Sequence, residues 1–170
     1  MESDRKIARY KDLPALRRRA SRRHQKIGFT SGCYDLLHLG HITHFAFCRS
    51  HCDLLVVSVG NDKNVRHLKG AGRPILPARA RARSVAALMS VDWVVLSRER
   101  GIFDFAQQFV SLRPDIFFVP ETDAELAKKE AFIRAVGGKL FRSRRTPPRE
   151  FRTGISTTDI ITRIRDGSSV

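Results

Sequence analysis

Short, continuous apolar runs punctuate the chain: Ile27-Gly28-Phe29-Thr30, Leu54-Leu55-Val56-Val57-Ser58-Val59, Trp93-Val94-Val95-Leu96 and Ile116-Phe117-Phe118-Val119, with Lys139-Leu140-Phe141 a weaker fifth. Runs of this length without polar alternation are what strands covered on both faces require. Between them, mixed apolar and polar segments predict helices near 40–51, 78–90, 103–112, 124–136 and 157–165. Gly137-Gly138 stops the fourth, because glycine accepts the left-handed backbone that ends a helix. The alternation predicts a single α/β domain built on a doubly wound, five-stranded parallel sheet with right-handed crossovers. Residues 1–25 read as a basic N-terminal extension, 26–165 as the domain and 166–170 as a short tail. No internal repeat or low-complexity linker breaks this rhythm, and Pro147-Pro148 reads as part of a loop.

A chain of 170 residues at 42% hydrophobic content is long and apolar enough for one core. No run of eighteen apolar residues could span a membrane, and no apolar stretch follows the N-terminal charges as in a secretory signal. Three cysteines, an odd number, argue against a disulfide scaffold and for a reducing, cytoplasmic setting. The formal charge of +15 changes the picture more. Residues 1–26 hold ten Lys/Arg against three Asp/Glu, and residues 139–165 hold eight against two. Such ends suit anionic partners, either nucleic acid or a nucleoside triphosphate with a second phosphate ester. The run Arg17-Arg18-Arg19-Ala20-Ser21-Arg22-Arg23 carries no interleaved aromatic and no base-reading motif, which ranks nucleic acid below the small phosphorylated ligands.

The densest chemistry lies in Gly32-Cys33-Tyr34-Asp35-Leu36-Leu37-His38-Leu39-Gly40-His41. A strand that ends in Ser31-Gly32 and opens toward a helix is the usual place for a phosphate-binding turn, where free N–H groups and the positive helix end face an anion. If the helix starts at Leu39-Gly40, the turn and the first helical residues can aim both imidazoles at one point, and Gly40 leaves the approach open. Two such donors suit a pentacoordinate phosphorus whose equatorial oxygens gain charge in the transition state.

These residues resemble the signature of the cytidylyltransferase-like nucleotidyltransferases. Leu68-Lys69-Gly70, Arg73-Pro74-Ile75, Arg81, Val91-Asp92-Trp93-Val94-Val95 and Gly154-Ile155-Ser156-Thr157-Thr158-Asp159-Ile160-Ile161 follow in that family's order, so the resemblance spans about residues 26 to 165. It implies a Rossmann-like fold and a homodimeric enzyme that joins a nucleotide to a phosphorylated acceptor, with Mg²⁺ on the triphosphate. It implies His38, His41 and Lys69 as catalytic residues. Nucleotide contacts would come from Ser31, Gly32, Cys33, Asp35 and Gly40, from Arg81 and Asp92, and from Arg152, Thr153, Ile155, Ser156 and Thr157. Asp62 and Asp123 would face the acceptor. The segment Arg152 to Thr157 is similar to the cytidylyltransferases for choline phosphate and glycerol 3-phosphate, whereas Leu68 to Val95 is similar to the adenylyltransferases of heptose 1-phosphate. The expectation is therefore CTP, with ATP and a sugar phosphate as the alternative. A non-catalytic nucleic-acid-binding protein on the same fold is a second alternative, but it has no need of the histidine pair.

Several residues carry two readings. Asp62 lies just past the second strand, as a ligand or as a helix cap. Asp35 can bind toward the metal or hold its turn through backbone N–H groups. Arg73, Arg79, Arg81 and Arg83 are spaced so that they cannot all meet one ligand. The hydroxyl run at Ser156-Thr157-Thr158 opens an amphipathic helix, as an ordinary cap or as a phosphate cradle. His44, Cys48, His51 and Cys52 form one helical stripe with zinc-like residue types, although four ligands on one straight helix converge poorly on a tetrahedral ion. A chain beginning near Gln25 is expected to fold and turn over.

Overall fold

The computed structural model describes residues 2–143 and 156–167. All five apolar runs are strands: β1 (Ile27–Gly32), β2 (Leu54–Val59), β3 (Trp93–Leu96), β4 (Ile116–Pro120) and β5 (Leu140–Ser143). They form one parallel sheet in the order β3-β2-β1-β4-β5, with Gly28 level with Leu55 on one side and Ile116 on the other. The helices are α1 (Glu2–Arg5), α2 (Leu13–Arg22), α3 (Leu39–Ser50), α4 (Asp62–Lys69), α5 (Ala78–Ala86), α6 (Ala106–Leu112), α7 (Leu126–Ala135) and α8 (Thr157–Asp166). This is the expected Rossmann-like domain. Its strand order reverses between β1 and β4, which opens a crevice beyond the carboxyl ends of the strands.

Successive strand residues point to opposite faces, so each strand feeds two core layers. Val56, Val95, Phe117 and Val119 pack with Leu16, Phe109, Leu112 and Ile133 of α2, α6 and α7. Leu55, Val57, Val59, Val94 and Phe118 pack with Phe45, Cys48, Ala82 and Val85 of α3 and α5. Phenylalanines fill the first layer: Phe29 meets Phe109 edge-on at 5.8 Å, and Phe105 stacks on Phe117 at 4.8 Å. Gly28 in β1 is a packing requirement, since a Cβ there would lie 2.6 Å from the Cys52 sulfur and 2.7 Å from the Phe118 ring.

Three expectations change. The N-terminal segment is not an appended extension. Ala8 N–H donates to the Val94 carbonyl at 2.9 Å and Val94 N–H to the Lys6 carbonyl at 2.9 Å, so residues 6–8 run along the free edge of β3. Leu13 and Ala20 of α2 are fully buried, and Arg17 pairs with Asp115 at 2.7 Å. No packing break falls at residue 25; the segment closes one face of the core. The helix expected over 78–90 stops at Ala86, and beyond it the Lys6 ammonium donates to the carbonyls of Leu88 and Val91 at 3.2 and 2.8 Å. The helix α4 was not expected, because Val65 and Leu68 are its only apolar residues and the remaining positions are polar. Among the described residues no helix is long and apolar enough to cross a membrane.

Candidate active site

A cavity of about 570 Å³ lies over the carboxyl ends of the strands. Its walls come from the end of β1 and the following turn (Ser31, Gly32, Cys33, Asp35), the start of α3, the β2–α4 region, the turn after β3, the β4–α7 loop and the start of α8. Parallel strands expose their carbonyl ends here, and their helices begin here, so backbone donors and positive helix ends converge at one edge.

The helix α3 begins at Leu39 and His38 is its cap, held in extended backbone at φ −138° and ψ 169°. His41 N–H donates to the His38 carbonyl at 2.9 Å, and the two imidazoles stack with centroids 3.8 Å apart and planes 28° off parallel. The spacing works because one histidine precedes the helix and the other lies in its first turn. Tyr34, in left-handed backbone at φ 47°, sets its ring edge-on against His41 at 5.3 Å and tilted against Phe45 at 5.0 Å. That ring passes so close to Gly32 that a Cβ there would be 2.9 Å from it. Burial pushes the Tyr34 phenol well above its ordinary value, so it remains a neutral support.

Asp35 is the anchor of the turn. Its carboxylate accepts the Ile75 N–H at 2.8 Å and the Leu76 N–H at 3.0 Å, and pairs with Arg73 Nε at 2.6 Å, while its side chain is fully shielded from solvent. Burial alone would raise this carboxyl, but the Leu76 and Ile75 amides and the Arg73 guanidinium outweigh it and hold the pKa below the usual range. The backbone-holding reading of Asp35 thus has its partners in place.

The structure brings Ser31, Gly32, Cys33, Asp35, His38, Gly40, His41, Lys69, Asp123, Ser156 and Thr157 to one cavity. Three expected ligand residues lie elsewhere. Arg81 is completely buried, donating to the carbonyls of Leu76 and Cys33 and pairing with Asp62 at 2.8 Å. It fastens the turn after β1 to the start of α4, and Asp62 is turned toward it; neither lines the cavity. Asp92 accepts the Leu55 N–H at 2.8 Å and pairs with Arg49 at 3.1 Å, at the amino end of β3 and so at the opposite edge of the sheet. The expected ligands Arg152, Thr153 and Ile155 lie outside the described residues.

At the start of α8, Ser156 Oγ accepts the Asp159 N–H at 3.1 Å and the Asp159 carboxylate accepts the Ser156 N–H at 2.8 Å. This is a capping box, and it sits in the cavity wall with Thr157, whose hydroxyl donates to the Leu36 carbonyl at 3.4 Å. Two helix N-termini, of α3 and α8, therefore border one space. Sequence reasoning missed Asn64, Asp104 and Lys129, which also line it, and gave His44, another lining residue, only a place in a metal-like stripe. His44 bridges Thr30 Oγ1 at 3.1 Å and Ser143 Oγ at 3.2 Å, linking α3 to the ends of β1 and β5. No local pattern marks Asp104 or Lys129; only the crossing of loops makes them neighbours. The His44–Cys48–His51–Cys52 stripe does not converge: Cys52 donates to the Cys48 carbonyl, and His51 packs on Phe141 at 5.0 Å. Burial pushes the Cys52 thiol up to about 11.

Residues 29–163 match the family described as cytidylyltransferase-like. The chain belongs to this family. It is 38% identical over 143 residues, 82% of its length, to bifunctional protein HldE of Acidiphilium cryptum (strain JF-5), and 36% identical over 172 residues, 98% of its length, to HldE of Geotalea uraniireducens (strain Rf4). It spans 27% and 32% of those two relatives, about a third of their length or less. Among solved structures, the lipopolysaccharide core biosynthesis protein from Thermoplasma volcanium GSS1 superposes with a TM-score of 0.61 at 24% identity, covering 73% of this chain and 98% of that one. Pantothenate synthetase from Thermus thermophilus superposes with a TM-score of 0.67 at 15% identity, covering 94% of this chain and 70% of that one. These last two are likenesses of fold. As a cytidylyltransferase-like domain, the chain is of the nucleotidyltransferase class, and the cavity is where that fold puts its ligands.

Proposed function

We propose that this chain transfers a nucleotidyl group from ATP to a sugar phosphate of the heptose 1-phosphate kind, releasing pyrophosphate. The observation that carries the reaction class is the stacked His38–His41 pair at the α3 N-terminus, in one cavity with Lys69 and the α8 N-terminus. An oxygen of the acceptor phosphate attacks the α-phosphorus; that P–O bond forms while the bond to the β-phosphate oxygen breaks, and pyrophosphate leaves with the electron pair. The acceptor phosphate is already anionic, so no strong base is needed. His38 and His41 would donate to the oxygens that gain charge, Lys69 would hold the triphosphate, and Ser156 and Thr157 would border its β/γ end.

The choice of ATP over CTP rests on the HldE relatives at 38% and 36% identity, and on the Leu68 to Val95 stretch that resembles heptose-phosphate adenylyltransferases. The sequence reading favoured CTP because of Arg152 to Gly154, a segment outside the described residues. The side chains present do not build a resident metal site: both Asp35 oxygens are occupied, and among the described residues no three His, Cys, Asp or Glu side chains group around a point. Mg²⁺ is therefore assigned to the incoming triphosphate as part of the substrate. The test is pyrophosphate release from each of four nucleoside triphosphates against heptose 1-phosphate, glycerol 3-phosphate and choline phosphate. ATP with heptose 1-phosphate should exceed CTP with any acceptor by at least about tenfold in kcat/KM, near 1.4 kcal/mol. A CTP preference would overturn the base assignment, and no release in any combination would overturn the reaction.

A further inference from the structure

The cavity is unevenly polar. One side carries Lys69, the histidine pair and two helix N-termini, all suited to phosphate. The other side is built by the turn after β3 and the start of α7, which bring Asp104, Asp123 and Lys129 to the wall. Lys129 pairs with Asp123 at 2.7 Å, and its charge also acts on Asp104. With Glu125 beside them, three carboxylates against one ammonium leave this wall net negative, poor for phosphate and good for hydrogen-bond donors.

Asp104 is 8% exposed and held in place from behind. Ser97 and Asn64 lie beside its carboxylate and favour its charged form. Ser97 Oγ accepts the Asn61 N–H at 3.0 Å, which leaves its own proton for Asp104. Asn64 is itself locked, accepting the Gly101 N–H at 2.7 Å and donating to the Gly101 carbonyl at 3.3 Å. A carboxylate has about four acceptor positions, and with Ser97 and Asn64 on one side the cavity side is left for a ligand.

We propose that Asp104 is a specificity-determining residue that accepts two neighbouring hydroxyls on the body of the acceptor, making a polyhydroxylated sugar phosphate the preferred substrate class. This rests on the nucleotidyl-transfer reading: the acceptor's phosphate must reach the α-phosphorus beside His38 and His41, so its uncharged body extends to a wall that does not attract phosphate. Stability points the same way. Burial raises the Asp104 carboxyl, and Ser97 and Asn64 offset this only in part. A raised folded value means that the group favours the fold at low pH and disfavours it as pH rises through that value. The fold therefore gains nothing from a charge on Asp104, whose carboxyl lines the cavity.

The test compares the full chain with Asp104→Asn, which keeps the shape, and with Lys129→Met. Titration calorimetry with heptose 1-phosphate, its monodeoxy analogues, glycerol 3-phosphate and choline phosphate reads acceptor binding without turnover; steady-state assays read KM and kcat. Asp104→Asn should weaken heptose 1-phosphate at least tenfold, leave KM for ATP within twofold, and bind one monodeoxy analogue as well as wild type does. Its thermal midpoint at pH 7 should not fall. Lys129→Met should weaken the same sugar phosphate less, and leave ATP unaffected. Unchanged binding in Asp104→Asn overturns the proposal, and so does a rise in the ATP KM alone, which would make Asp104 a ribose contact. Tighter binding of choline phosphate than of the sugar phosphate, or no sugar phosphate binding to wild type, also overturns it. Sugar phosphate binding through Asp104 without pyrophosphate release would instead refute the reaction and leave this inference standing.

Discussion

Asp35→Asn should be among the most destabilising single changes in the site, although the amide has nearly the same shape. The carboxylate is shielded from solvent and receives two backbone N–H groups and the Arg73 guanidinium at 2.6 Å, itself 14% exposed. Asparagine retains one acceptor oxygen and presents an NH₂ group to a site made of donors, so Arg73 is left buried without its counter-charge. Breaking a buried pair in this way costs about 3–5 kcal/mol, a large part of the roughly 5–15 kcal/mol that holds a domain together. At a urea slope of about 2 kcal/mol/M the unfolding midpoint should fall by about 1.5–2.5 M. The pH dependence supplies the sign. The folded carboxyl lies below its ordinary value, so its stabilisation is present above about pH 4 and is lost as pH falls through the folded value. Urea melts of both proteins at pH 7, 5 and 3 should show a constant deficit at the first two and a smaller one at the last. A loss under about 1 kcal/mol at pH 7, or the same deficit at all three, would refute the reasoning.

Two further outcomes follow from the geometry. His41→Ala removes a donor that acts mainly when charge develops on phosphorus, so kcat should drop by about 10²–10³ while ATP affinity measured by calorimetry changes little; near wild-type turnover would remove His41 from the mechanism. Deleting residues 1–24 takes Leu13, Leu16 and Ala20 out of the core and uncovers the β3 edge, and Leu13→Ala alone should cost about 2–5 kcal/mol. The truncated chain should lose its cooperative melt; a melt at the full-length midpoint would show that the segment is an appendage after all.

The strands and the histidine pair were legible because their signals are local. A strand buried on both faces is apolar at most positions, so β1 to β4 appear as nearly continuous apolar runs, and the winding follows from their spacing. His38 and His41 belong to one turn and one helix start, so the cap position of His38 is fixed within a few residues. The N-terminal segment was misread because Leu13, Leu16 and Ala20 are sparse among arginines; their burial shows only when β1 and β4 supply the surface they cover. The same reason governs the charged residues. Whether an aspartate meets a ligand or a buried arginine depends on which chain segment crosses nearby, and these segments are far apart in sequence: Asp35 finds Arg73, and Arg81 finds Asp62 and the Cys33 carbonyl. Asp62, Arg81 and Asp92 thereby leave the expected site, while Asp104 and Lys129, which no motif marks, enter it. A sequence pattern records the helix or strand on which a charge rides. The order in which the strands pack decides which side of the sheet it faces and which partner it meets there.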